Sequence, residues 1–127
     1  MLKFDKNSAQ ALKELLYNSN VHDAKLESIG YKYSEDCVKI ELFNPIFKVK
    51  INLTFRNIGI AVAVKGDWTG SRETIISLTV EEESSYLQSF LLKCSEYMED
   101  SLYLLFQMFS GDELHIVSKE VVVEIIR

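Results

Sequence analysis

One stretch of alternating residues constrains the fold of this chain more than any other feature of its sequence. Phe47, Val49, Ile51, Leu53 and Phe55 occupy every second position of residues 46–55, with Lys48, Lys50, Asn52 and Thr54 between them. Because successive side chains of a β-strand point to opposite faces, this period predicts one buried and one wet face. Such a strand is typical of an antiparallel sheet with one face in water. We therefore expect the five apolar side chains to point to one side.

Further strands and two helices complete the predicted fold. Apolar, β-rich runs favour strands at 102–109 and 120–126, and Ser34-Glu35-Asp36 predicts the turn of an earlier hairpin. Spacings of three and four predict amphipathic helices over 8–18 and 86–98, with a strand over 86–92 as an alternative. The predicted fold class is α+β: one domain over residues 1–127, with a curved antiparallel sheet of about seven strands, an N-terminal helix and one helix in the C-terminal half.

A turn at Arg56-Asn57 is expected to end the alternating strand, and a new strand is expected to follow over residues 58–65. Gly59, Ala61 and Ala63 share one face of that new strand. Small side chains let another element approach closely, so we expect the N-terminal helix to pack on this face.

Composition excludes several classes of protein. The longest run without a charged residue is Ser101–Gly111, which is short of the ~20 apolar residues that a membrane-spanning helix needs. Charged residues at positions 3, 5 and 6 argue against a cleaved secretory signal. Cys37 and Cys94 lie far apart and have no nearby histidine, so we expect two free thiols and a reducing, cytoplasmic location.

Charge is distributed unevenly along the chain, whose net charge is −5. Residues 1–65 hold ten Lys or Arg against seven Asp or Glu, whereas residues 66–127 hold four against twelve. An acidic surface repels phosphate backbones, so nucleic-acid binding is disfavoured. The same acidity would steer a basic protein partner towards the C-terminal half. The alternative is that it only keeps the protein in solution.

The sequence contains no complete catalytic constellation. His115 lies between Leu114 and Ile116 in a predicted strand, and its side chain is expected to point outward. The dipeptide His22-Asp23 lacks the further His and Asp ligands that a metal-dependent phosphohydrolase needs. The loop from Gly66 to Gly70 lacks the Lys-Ser/Thr of a P-loop. We therefore expect no enzymatic activity, no metal and no cofactor.

Two sets of residues are candidate sites. Trp68, the only tryptophan, lies in a polar loop between Asp67 and Arg72, and such aromatics are frequent at recognition sites. A Trp68 folded back onto the core is the alternative. With this loop, the predicted partner-binding residues are the acidic Glu81, Glu82, Glu83, Glu96, Glu99 and Asp100. His22 and Asp23, at the start of the first predicted strand, are expected to fix the edge of the sheet.

The run His22-Asp23-Ala24, followed by a strand, a hairpin and a later loop with Trp68 and Gly70, resembles a loose group of small bacterial proteins. Some members of that group are immunity proteins of polymorphic toxin systems. Here Thr69 separates the tryptophan from the glycine. The resemblance covers about the first 80 residues. It implies a cytoplasmic antitoxin that binds its toxin, and it assigns no catalytic residue.

The leading hypothesis is a protein-binding domain, most concretely an immunity protein that occludes a basic toxin through its acidic C-terminal half. The alternative is a small-molecule-binding or structural domain with an apolar pocket between sheet and helix. An enzyme ranks third, and it would need a pocket that joins His22, Asp67 and Arg72.

Overall fold

Seven strands and one α-helix are the main regular elements of the residues that the structure describes, which are 1–66, 74–81 and 101–127 of a computed structural model. In chain order they are β1 (Leu2–Phe4), α1 (Ala9–Tyr17), β2 (Lys25–Lys32), β3 (Cys37–Asn44), β4 (Val49–Val64), β5 (Ile75–Glu81), β6 (Leu102–Met108) and β7 (Glu113–Ile126). An antiparallel sheet with an N-terminal helix confirms the α+β class at this level. The helix predicted over 86–98 lies outside the described residues, as does Cys94.

The N-terminal helix begins after a capping box. The Asp5 carboxylate accepts from the backbone N–H groups of Asn7 and Ser8, and the Ser8 hydroxyl accepts from the N–H of Asp5. Helix α1 then buries Leu12 and Leu16, as its apolar spacing predicts. Its main contacts are with β5 and β1. The expectation that it packs on the small residues of 58–65 is therefore wrong.

The predicted hairpin is present. Strands β2 and β3 pair antiparallel from Lys25↔Phe43 to Lys32↔Cys37, and a 3-10 turn over Tyr33–Glu35 connects them. Asp36 closes the turn in the left-handed region, with φ 48°, where Asp and Asn are tolerated better than most residues. The Cys37 thiol is buried at the start of β3.

The alternating pattern is confirmed for four of its five apolar residues. Val49, Ile51, Leu53 and Phe55 are buried in the core, but Phe47 is 61% exposed. The strand begins only at Val49, because the Asn44 side-chain oxygen accepts from the N–H groups of Ile46 and Phe47 and holds a turn there. Phe47 therefore lies before the strand.

The turn expected at Arg56-Asn57 is also wrong, because β4 continues through it to Val64. Asn57 adopts a left-handed φ of 57°, and the pairing with β7 shifts by one residue between Ile58 and Ile60. A bulge of this kind bends a strand without ending it. Likewise, the strand predicted around His115 and the strand predicted over 120–126 form one strand, β7, over residues 113–126.

The sheet has the order β2-β3-β4-β7-β6-β5, and β1 pairs with β7. Strand β7 is thus its centre, paired with β4, β6 and β1. The two ends of the sheet curl until they meet at one corner, where Lys25 pairs with Thr74. At that corner the Ile75 N–H donates to the Ala24 carbonyl over 2.9 Å. The core lies inside this curl, where Phe55 and Phe106 meet edge to face at 6.4 Å.

Candidate partner-binding groove

Most of the predicted partner-binding residues lie outside the described part of the chain: Asp67, Trp68, Arg72, Glu82, Glu83, Glu96, Glu99 and Asp100. Glu81 is described and ends β5, half-buried. Its carboxylate accepts from the Thr79 hydroxyl over 2.8 Å.

His22 and Asp23 lie at the corner where the two ends of the sheet meet. His22 Nδ1 is 3.1 Å from Asp23 Oδ2; the His22 side chain is exposed and the Asp23 side chain is half-buried. The link to the far end of the sheet is made by the main chain, since the Asp23 N–H donates to the Ile75 carbonyl over 2.9 Å. The His22 ring meets Phe109 edge to face at 6.4 Å.

Sequence reasoning missed the residue that holds this corner. Asn44 is fully buried, and its amide nitrogen donates to the carbonyls of Asn20 and His22 over 2.9 and 3.3 Å. Its oxygen accepts from the following turn, so both ends of the side chain are bonded. The Asn44-Pro45 dipeptide marks a turn in the sequence, but nothing in it points to a bond 24 residues away.

The expectation that His115 points outward is wrong. His115 is buried, and its Nδ1 lies 2.5 Å from the Tyr103 hydroxyl, with Glu113 Oε1 3.9 Å from Nε2. Residues 114–118 of β7 are all buried, so the strand has no wet face there. Alternation separates exposed from buried side chains only where one face of a strand is in water.

An apolar groove of about 400 Å³ lies on the described surface. Its lining comes from β2 and β3 on one side and from β4 and β7 on the other: Ile29, Tyr31, Val38, Ile58, Gly59, Ala61, Ala63, Leu114 and Ile116. The continuation of β4 past its bulge brings these strands to one site.

The two walls of the groove differ in shape. The β4 wall carries at most methyl groups at Gly59, Ala61 and Ala63, and both alanines are exposed. The β2 wall presents Ile29, 49% exposed, and Tyr31, 50% exposed. Buried Val38, Leu114 and Ile116 line it as well. The small-residue face therefore forms one wall of an open groove, and α1 has its main contacts elsewhere.

Asp36 bonds to two residues that line the groove, one on β2 and one on β4. Its Oδ1 accepts from the Tyr31 hydroxyl over 3.3 Å, and its Oδ2 accepts from the Ile58 N–H over 3.1 Å. Its carbonyl accepts from the N–H of Asn57 at the bulge. The turn between β2 and β3 thus holds the Asp36 carboxylate against β4 next to its bulge. We name Tyr31, Tyr33 and Asp36 the acidic-aromatic end.

The electrostatics of this end follow from the same contacts. Partial burial of the phenol and the adjacent Asp36 carboxylate raise the pKa of Tyr31 above its usual value of 10.0, so the hydroxyl keeps its proton. Among the described residues no cation forms an ion pair with Asp36, and the nearby Lys32 instead lies 3.5 Å from Glu35.

Other kinds of site find little support in the described part of the chain. Residues 1–66, 74–81 and 101–127 bring together no group of three His, Cys, Asp or Glu that could hold a metal ion. No helix within these ranges is long and apolar enough to cross a membrane. No protein-family model matches the chain, and no curated protein matches it.

Proposed function

We propose that this chain is a protein-binding domain for a basic partner, acting as a cytoplasmic immunity protein that occludes its toxin. The observation that carries the proposal is the open apolar groove with its acidic-aromatic end. Apolar side chains left in solvent beside a groove are typical of interaction surfaces.

The exposed side chains next to the groove support this function. Tyr33 is 86% exposed and meets the half-exposed Tyr31 edge to face at 6.0 Å. Tyrosine is enriched in protein interfaces, because its ring buries a large apolar area while its hydroxyl keeps a polar contact. These rings would supply binding energy, and the groove would take side chains of the partner.

Charge supports a basic partner. The chain carries a net charge of −5, and its acidic residues are concentrated after residue 66. Opposite net charges accelerate encounter, which suits an inhibitor that must capture a toxin quickly. In this proposal the acidic C-terminal residues steer the partner, and the groove contributes to holding it.

Affinity capture with two variants tests the proposal. Ala63→Phe narrows the groove, whereas Val62→Phe adds the same side chain at the neighbouring position, which faces away from the groove because strand residues alternate. We expect the native chain and Val62→Phe to retain one basic protein stoichiometrically from a lysate of the source cells, and Ala63→Phe to lose it. Capture of no partner, or equal capture by both variants, would contradict the proposal.

A small-molecule-binding function is the second candidate. The groove volume of about 400 Å³ falls within the range of ligand pockets, about 300–1,000 Å³. Mass spectrometry of the denatured protein, purified from its own cells, tests this function. If the chain binds a small molecule in the groove, one compound should copurify with the native chain and be absent from Ala63→Phe.

A further inference from the structure

The Asp36 carboxylate has the properties of a cation-binding group. Two hydrogen bonds, from Tyr31 and from the Ile58 N–H, fix its position, and neither donor carries a charge. A carboxylate oxygen can accept more than one hydrogen bond, so both oxygens keep acceptor capacity. The carboxylate group is thus oriented in advance.

The two tyrosine rings beside it favour a particular kind of cation. A guanidinium or ammonium group over a tyrosine face is attracted by the negative charge of the ring face. Tyr31 and Tyr33 lie at an interplanar angle of 70°, so they present ring surface in two directions next to Asp36. A planar guanidinium can stack on a ring and bond a carboxylate at once, which the compact ammonium of lysine cannot do.

The groove provides the remaining contact. Arginine carries its charge at the end of an apolar stem, which packs along apolar surface while the head stays polar. Ile29 and Ile58 line the groove on opposite walls, and the backbone N–H of Ile58 bonds Asp36. A stem lying between these walls would bring its head to the carboxylate.

We propose that the acidic-aromatic end binds the guanidinium group of an arginine side chain that a basic protein partner inserts into the groove. The source of that arginine rests on the proposed function. The binding chemistry rests only on Asp36, the two tyrosine rings and the apolar walls.

A titration of the full chain tests the inference without the partner. The probes are two capped peptides, Val-Arg-Val and the same peptide with citrulline, which has the shape of arginine but no charge. Chemical shifts of the Ile58 amide and the Tyr31 ring are followed by NMR at constant ionic strength. We expect saturable shifts with the arginine peptide, and binding weaker by about threefold or more with the citrulline peptide.

Variants locate the site. Asn tolerates the left-handed φ of position 36 and can still accept from Ile58, so Asp36→Asn removes the charge with little change in backbone. We expect it to weaken arginine-peptide binding two- to fivefold, and Tyr31→Leu to do the same by removing the ring. Glu14→Gln, on helix α1, is the control and should bind like the native chain. An unchanged NMR spectrum away from the site shows that each variant is folded.

The outcomes separate this inference from the proposed function. Equal binding of the two peptides, no saturable shift, or shifts confined to residues outside the groove would each overturn the guanidinium site, and the capture experiment would still decide the function. If the arginine peptide binds as expected while the native chain captures no basic protein, the site stands and the proposed function fails.

Discussion

At the residue scale, hydrogen bonds between side chains and the main chain determine the local structure of several residues that the side-chain pattern alone does not predict. Phe47 continues the apolar alternation, yet it lies outside β4 because Asn44 holds its backbone in a turn. The sequence predicts Asp36 only as a turn residue, yet its carboxylate bonds the Ile58 N–H and so joins the hairpin turn to β4. Turn chemistry predicts that a turn exists, but not which distant backbone group its polar side chain will meet.

Replacing Asp36 by Asn should lower the pKa of Tyr31 towards 10.0, because it removes a negative charge that opposes ionisation of the phenol. Tyrosine ring carbon signals followed by NMR against pH measure this, and Tyr31→Phe assigns the signal. The folded chain holds this proton more tightly than the unfolded chain does. The resulting stability is present below pH 10 and is lost as pH rises through the folded-state pKa. An unchanged Tyr31 titration in Asp36→Asn would show that the carboxylate does not act on the phenol.

Asn44→Ala should lower the free energy of unfolding by about 2–4 kcal/mol, since it leaves buried backbone groups of two loops without partners. Asn18→Ala is the matched control, because that exposed side chain bonds only the Glu14 carbonyl of its own helix. The control should lose less than about 1 kcal/mol. Urea unfolding measures both values, and equal losses would mean that Asn44 does not hold the corner.

At the scale of elements, periodicity identified strands well but not where they bend. The alternating run was recognisable because one of its faces is wet, and the hairpin was recognisable from its turn residues. The sequence at Arg56-Asn57 predicts a turn, but the structure has a β-bulge there; an asparagine in the left-handed region fits both a turn and a bulge. The groove depends on that bend, so it could not be predicted from the pattern of any one strand.

A close approach of two loops fixes the end of β4. A Cβ atom added to Gly66 would lie 2.5 Å from the Gly111 carbonyl carbon, whereas one added to Gly30 in β2 would meet nothing within 4 Å. Gly66→Ala should therefore cost about 1–3 kcal/mol of stability, because backbone must shift to make room. Gly30→Ala should be neutral or slightly stabilising. Thermal unfolding of the two variants tests the contrast, and similar melting temperatures would contradict it.

At the scale of the whole molecule, the uneven distribution of charge is read directly from the sequence, and the groove only from the structure. The groove takes its lining from the consecutive strands β2, β3 and β4 and from β7, which is distant along the chain. The pairing of β4 with β7 brings them together. The basic partner expected from the charge of the sequence stays a prediction, and the position of the groove could not be expected from the sequence.

The charge distribution predicts how a partner binds. Changing Glu81, Glu82 and Glu83 to Lys should lower the association rate more than it changes the dissociation rate, because solvated charges act mainly during encounter. The difference in association rate between this variant and the native chain should shrink as added salt screens charges beyond about 8 Å. Surface plasmon resonance at two salt concentrations, with the captured partner, measures this. Rates independent of salt and of the substitutions would place the interface away from these residues.

The central position of β7 has a consequence for the order of events during synthesis. A ribosome releases residues 113–126 after the other described strands, yet this segment joins β4 to β6 and pairs with β1. Until it emerges, the nascent chain can form the β2–β3–β4 and β5–β6 pairings, but it lacks the strand that pairs with both β4 and β6. The apolar residues that will become the core then stay open to proteases and chaperones. Assembly of the whole sheet is therefore expected to wait until residues 113–126 have left the ribosome.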